Sequence, residues 1–157
     1  MRLFLPCDTT AVALGADGIA SAIMLEAARR SLEIELVRNG SRGMFWLEPL
    51  LEVEHRGQLL AFWPVVEADV PGLLGAITAD MSDHSLYLGP TSDIPYLRDQ
   101  QRLSFARAGL GEPLSLDDYR ESGGFVGLER ALAMSPRQIV DEVTNSGLRG
   151  RGGAAFP

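Results

Sequence analysis

Leu50-Leu51-Glu52-Val53-Glu54-His55-Arg56-Gly57-Gln58-Leu59-Leu60-Ala61-Phe62 is the stretch on which the fold class turns. Leu50 to His55 and Gln58 to Phe62 read as two strands, and Arg56-Gly57 between them is a hairpin signal. Pro64 ends the second strand because it has no N–H to donate. Upstream, Leu3-Phe4-Leu5 reads as a short first strand, and Asp8, Thr9 or Thr10 can cap a following helix. Ala11 to Arg30 is Ala-rich, and Val12, Ile19, Ile23 and Ala27 recur at helical steps. Glu33 to Val37 alternates charged and apolar residues, as a half-buried strand does. Arg38-Asn39-Gly40-Ser41-Arg42-Gly43 reads as a loop. Downstream, Glu67 to Leu74 predicts a short helix, with Pro71 in its early part as a weakness. Residues 1–77 therefore read β-α-β-β-β-α, an α/β (α+β) domain with helices packed on a small mixed sheet.

Beyond it, Thr78 to Pro95 is rich in Asp, Ser, Gly and Pro and reads as part of a linker over residues 78–110. Leu97 to Ala108 fits either a helical or an extended segment. A second unit is expected over residues 111–157. Ser115 to Glu121 opens with acids in a first helical turn, and Gly123-Gly124 breaks it. Phe125 to Met134 resumes an apolar periodicity. The clearest helix follows: Ser135 as N-cap, Pro136 at the first position, an Ile139, Val140 and Val143 stripe, and Gly147 as the stop.

The whole chain has 157 residues, 46% of them hydrophobic, with 14 basic and 21 acidic side chains. That apolar share excludes general disorder. No apolar run reaches the ~18 residues of a membrane span. Met1 to Pro6 is too short, and too soon broken by Asp8, for a signal peptide. The single cysteine, Cys7, excludes an internal disulfide framework and any metal site built from this chain's thiolates alone. The acidic balance argues against a dedicated nucleic-acid binder.

Four of the 17 glycines, Gly147, Gly150, Gly152 and Gly153, lie in the last eleven residues, interleaved with Arg149 and Arg151. Glycines allow close backbone approach, successive free N–H groups make a concave anion site, and arginines add forked donors. Two readings stand: a phosphate-cradling loop, or a flexible Gly-Arg tail. Gly150 to Ala155 fits G-x-G-x-x-G/A, but a helix precedes it where the dinucleotide fingerprint needs a strand. Cys7 lies near a helix N-terminus, where a thiolate is favoured; a half-buried, inert thiol is the commoner outcome. His55 at the hairpin end and His84 in the linker have no ligand-spaced neighbours and are expected to be solvated. Asp117-Asp118 needs no role beyond a helix start. Trp46 and Trp63, with Phe45 and Phe62, are expected in core or interface. Arg38 and Arg42 flank their loop, with solvation as the default and anion or partner binding as the alternative.

Ser146-Gly147-Leu148-Arg149-Gly150-Arg151-Gly152-Gly153-Ala154-Ala155-Phe156-Pro157 resembles the signature S-G-L-R-G-R-G-G-A-G-F-P of the flavin-bearing, NADH-oxidising subunit of respiratory complex I and its soluble relatives. Eleven of twelve positions agree, with Ala155 where the family has Gly. Pro136, Asp141-Glu142, Glu112 to Tyr119, Gly123-Gly124-Phe125 and Leu128 to Met134 resemble the segment before that signature. Leu36 to Gly43, Trp46 to Leu50, Gly89-Pro90-Thr91, Ile94 to Leu97 and Leu103 to Arg107 resemble the beta subunit of soluble NAD-dependent formate dehydrogenases.

The resemblance implies a thioredoxin-like domain of ferredoxin type over residues 1–77. Cys7 falls about where a first cluster ligand would lie, but Ala11 and the Arg38 to Gly43 loop supply none of the others, so no metal is expected. It implies that Gly150 and Gly152 lie against FMN, that Arg149, Arg151 and Gly153 complete the loop, and that Phe156 packs on the adenine of NAD, with Gly147 leading in. The full subunit would carry FMN, NAD and a 4Fe-4S cluster. Its partners would be a gamma-type iron–sulfur subunit and a catalytic molybdenum or tungsten subunit of a cytoplasmic complex. The first expectation is an N-terminal fragment, inactive alone and without catalytic residues of its own. The second is a stand-alone docking module using Phe45-Trp46 and the Arg38 to Arg42 loop. The equivalent subunit of a bidirectional hydrogenase or of complex I is a third.

Overall fold

A computed structural model describes residues 1–156, which divide into two compact units, the first over residues 1–115 and the second from Leu116 onward. The first is built on a five-stranded mixed sheet, so the expected α+β class holds. Its strands are β1 (Arg2–Phe4), β2 (Glu35–Val37), β3 (Leu51–His55), β4 (Gln58–Phe62) and β5 (Tyr87–Pro90), in the spatial order β2-β1-β3-β4-β5. β1 and β2 run parallel, and every other neighbouring pair is antiparallel. The hairpin registers Leu51 opposite Phe62 and His55 opposite Gln58. Arg56 and Gly57 make its turn, both at positive φ.

Alternation along the strands sorts the core. Leu3, Leu5, Leu51, Val53, Leu60 and Phe62 face one way and pack with Ile19, Ile23, Leu73 and Leu74. The last four come from helices α2 (Ala16–Arg30) and α3 (Val70–Ile77). Each such side chain contributes about 1.5–3 kcal/mol on burial. Leu50 and Ala61 face the other way, into a smaller cluster with Met44, flanked by Leu47, Trp63, Ile94 and Leu97.

The predicted helix from Ala11 to Arg30 is two. α1 (Thr9–Ala13) is capped by Asp8, whose carboxylate accepts from the Thr10 N–H at 3.0 Å. Gly15, at φ 100°, breaks the chain before α2. The break turns Val12 off the buried stripe that Ile19, Ile23 and Ala27 occupy, and leaves it exposed. Pro71 is no weakness, because it sits in the first turn of α3, where its missing N–H has no partner to lose. Glu26 of α2, itself buried, binds Arg29 at 2.6 Å and Arg30 at 2.5 Å. Arg30 also donates to the Pro71 carbonyl at 2.7 Å, tying α2 to α3.

The stretch read as a linker carries β5, whose Gly89 and Pro90 pair with Ala61 and Leu60 of β4. Its turn-forming composition hid a short edge strand. His84 corrects the expectation of solvation: it is half-buried, and its Nδ1 accepts from the Leu86 N–H at 3.2 Å. His55 is exposed, as expected. Residues 97–108, left open in the sequence, contain only the end of a short helix, α4 (Pro95–Arg98), followed by turns.

The second unit comprises α5 (Leu116–Glu121), α6 (Val126–Leu132) and α7 (Pro136–Asn145). Gly123, at φ 83°, separates the first two. Ser135 and Gln138 form the reciprocal cap of α7. An Arg130–Glu142 ion pair of 3.0 Å links α6 to α7. Among the described residues of this unit, none is buried.

Candidate functional site

The glycine-rich segment begins where α7 stops. Gly147 adopts φ 67° there, the left-handed conformation that ends helices and that glycine takes without penalty. The chain then folds back on itself. The Gly150 N–H donates to the Phe156 carbonyl at 2.8 Å and closes a loop over residues 150–156. A Cβ at Gly150 would lie 3.4 Å from the Phe156 nitrogen, an ordinary van der Waals contact, so this closure does not by itself demand glycine. A Cβ at Gly152 would meet nothing within 4 Å, so that backbone is open on its side-chain face.

Among the described residues, the N–H groups of Arg151, Gly152 and Gly153 have no partner, and neither Arg149 nor Arg151 makes an ion pair. Nearby carboxylates are engaged elsewhere, Asp141 with Arg137 and Glu142 with Arg130. Two guanidinium groups beside backbone donors without a partner among the described residues can hold an anion such as a phosphate. Ala155 sits at φ 47°, a conformation costly for a side chain with a Cβ. Behind the loop, Ile139, Val140, Val143 and Leu148 line a cavity of about 410 Å³ that Gly147 and Arg149 border. All seven expected site residues (Gly147, Arg149, Gly150, Arg151, Gly152, Gly153 and Phe156) thus lie on one exposed segment.

The first unit holds a second arrangement, which the sequence reading missed. Arg42 is not a solvated loop residue. Its Nε lies 2.9 Å from Oε2 of Glu52, and the Glu52 side chain is 1% exposed. The Nη1 and Nη2 of Arg42 donate to the Ala108 and Gly109 carbonyls, both at 3.4 Å. Arg38 is likewise engaged, with the carbonyls of Leu5 and Pro6 and with Asp17. Asn39 is fully buried and donates to Gly109 O at 2.8 Å. Glu48, also buried, accepts from the Ser41 hydroxyl at 2.7 Å and the Leu50 N–H at 3.3 Å. Burial raises its pKa, and the charges of Asp8 and Glu52 add to the rise. A glutamate between Leu51 and Val53 in a strand was the available signal for a buried ion pair.

Cys7 corrects the expectation of a half-buried thiol: it is exposed, with Sγ 3.4 Å from the Arg38 carbonyl. Phe62 is in the core, whereas Phe45 and Trp46 are exposed, Trp46 meeting Tyr96 edge-on at 5.0 Å. Among the described residues, no three His, Cys, Asp or Glu side chains group as a metal site. No helix among them is long and apolar enough to cross a membrane.

No family model matches the chain. It is 47% identical over 60 residues to the NADP-reducing hydrogenase subunit HndC of Solidesulfovibrio fructosivorans, covering 38% of this chain and 12% of that protein. It is 58% identical over 43 residues to the F subunit of the NADH-quinone oxidoreductase of Aquifex aeolicus, covering 27% and 10%. The same-named subunit of Streptomyces coelicolor is 54% identical over 46 residues, covering 29% and 10%. The chain spans about a tenth of the length of the curated relatives it matches. Over part of its length, the chain is a homologue of oxidoreductase subunits that include the F subunit of NADH-quinone oxidoreductase and a subunit of an NADP-reducing hydrogenase.

Proposed function

We propose that this chain is the N-terminal part of the diaphorase subunit of a soluble, cytoplasmic NAD-dependent formate dehydrogenase. A thioredoxin-like domain without a cluster would dock the subunit, and the loop after α7 would begin its FMN site. The observation that carries the reading is the closed glycine loop after α7, with backbone donors beside Arg149 and Arg151 that have no partner among the described residues. The identity to oxidoreductase subunits supports it. The choice of formate dehydrogenase rests on the resemblance over Leu36 to Leu50 and Gly89 to Arg107.

The residues present fit an anionic, flat cofactor. Gly152 leaves the open face against which a ring system could lie, and Arg149 and Arg151 bring positive charge to its phosphate. Phe156 is exposed and available to pack against an adenine. FMN, when bound, supplies the exchange between hydride and single electrons, and the protein supplies position and electrostatics. Iron–sulfur clusters of the full subunit and of a gamma-type partner would connect it to a molybdenum or tungsten subunit where formate is oxidised.

The test is titration with FMN, followed by flavin fluorescence and by tryptic cleavage after Arg149 and Arg151. Excess FMN is expected to slow both cleavages. Unchanged cleavage would overturn the flavin reading. Tight stoichiometric binding by the 157-residue chain would overturn the claim that this chain holds only part of the site. A second reading, a subunit-docking module alone, is favoured by the exposed aromatic surface at Phe45, Trp46 and Tyr96.

A further inference from the structure

The first unit carries a groove of about 620 Å³, within the ~300–1,000 Å³ range of ligand-accepting pockets. Phe45, Tyr96, Leu103 and Phe105 supply its apolar surface and Arg102 its charge, the guanidinium of Arg42 being neutralised by Glu52. Among the described residues, no Asp or Glu lines it. That is notable on a chain with a formal charge of −7. Phe105 is 74% exposed and Leu103 81%. Such side chains lose stability to water unless something covers them.

The wall bearing them is pinned in place. Arg102 Nη2 donates to the Arg42 carbonyl at 2.8 Å, and Nε donates to Gln100 Oε1 at 2.8 Å. Farther along, Gly109 O accepts from buried Asn39, and Arg42 reaches the Ala108 and Gly109 carbonyls. A surface that is aromatic and arginine-bearing, poor in acids and already ordered has the make-up of a protein-binding hot spot. Ordering the wall before binding lowers the entropy cost of association.

We propose that this groove docks a segment of a partner protein that presents a large apolar side chain beside a carboxylate. The apolar side chain would lie against Leu103 and Phe105, and the carboxylate would pair with Arg102. Charge selects this occupant. A net-negative chain repels acidic segments over most of its surface and attracts them where Arg102, which makes no ion pair among the described residues, stands in a groove without a lining acid. The proposal rests on the docking part of the preceding reading and names where that docking occurs and by what chemistry.

A random dodecapeptide library displayed on phage, panned against the full chain, tests it. Enriched peptides are expected to carry Leu, Phe or Trp within a few positions of Asp or Glu. By fluorescence anisotropy, the best synthetic peptide should lose at least about tenfold in affinity for Phe105→Ser and for Arg102→Glu. Leu25→Ser, on an exposed face of α2, should not change it, and thermal melts should show all three variants folded. Replacing the peptide's carboxylate by lysine should restore binding to Arg102→Glu. No enrichment, enrichment without an acidic preference, or binding indifferent to Phe105→Ser would overturn the proposal. So would sedimentation of the unmodified chain as a dimer that Phe105→Ser dissociates, since the occupant would then be a second copy. Cleavage after Arg149 and Arg151 reports the flavin reading separately, so either idea can fail while the other stands.

Discussion

Arg42 and Glu52 form an ion pair on the second face of the sheet, Nε to Oε2 at 2.9 Å, with side chains only 11% and 1% exposed. Strand alternation forces the arrangement: with Leu51 and Val53 in the main core, Glu52 must point to the opposite face. There it meets Arg42, a loop arginine that also holds the Ala108 and Gly109 carbonyls.

Removing one partner strands the other's charge. Glu52→Ala is therefore expected to cost about 3–5 kcal/mol, as for other buried pairs broken from one side. Replacing both residues with apolar ones of similar volume should cost much less. Urea denaturation of the single and double variants measures both. Equal losses in the two would mean that the pair does not act as a unit.

Gly109 is held at φ 81°, and a Cβ there would lie 2.5 Å from Arg42 Cγ. Gly109→Ala should lose at least about 1–2 kcal/mol from the backbone alone, and it should displace Arg42 as well. The loss should shrink in a chain already lacking Glu52, because the two changes share a partner. Strictly additive denaturation midpoints would contradict this.

Two glutamates bias stability in opposite directions with pH. The Arg29 hydrogen bond, followed by that of Arg30, holds Glu26 at about 2 against an ordinary 4.5, despite an opposing desolvation cost. Its contribution is present above about pH 4.5 and is lost as pH falls toward about 2. Glu48 is raised, so its contribution is present below 4.5 and is lost as pH rises through its folded value. Melting temperatures between about pH 2 and 7 should show Glu26→Gln flattening the acid limb and Glu48→Gln flattening the loss on the other side. The same limb altered by both would refute the assignment.

Ala155 at φ 47° occupies a conformation that glycine adopts without strain, inside the loop closed by the Gly150–Phe156 hydrogen bond. Ala155→Gly should relieve about 1 kcal/mol. The Gly150 amide should then exchange with solvent about fivefold more slowly. Faster exchange in the variant would show that chain entropy outweighs strain here.

The strands of the hairpin, the capped α7 and the glycine loop were legible because each is a local pattern. Alternation, a Ser-Pro start and a glycine stop act within a few residues. β5 was not, since Leu88-Gly89-Pro90 becomes a strand only by pairing with β4. Nor was the engagement of Arg42, whose partner Glu52 lies on a neighbouring strand and whose partners Ala108 and Gly109 lie far from it in sequence. By itself, the sequence determined the α+β class and the segment that carries the glycine loop. Tertiary structure decided which charges are buried, which aromatic residues are left uncovered and where an apolar groove opens, because those depend on chain segments meeting across the sheet.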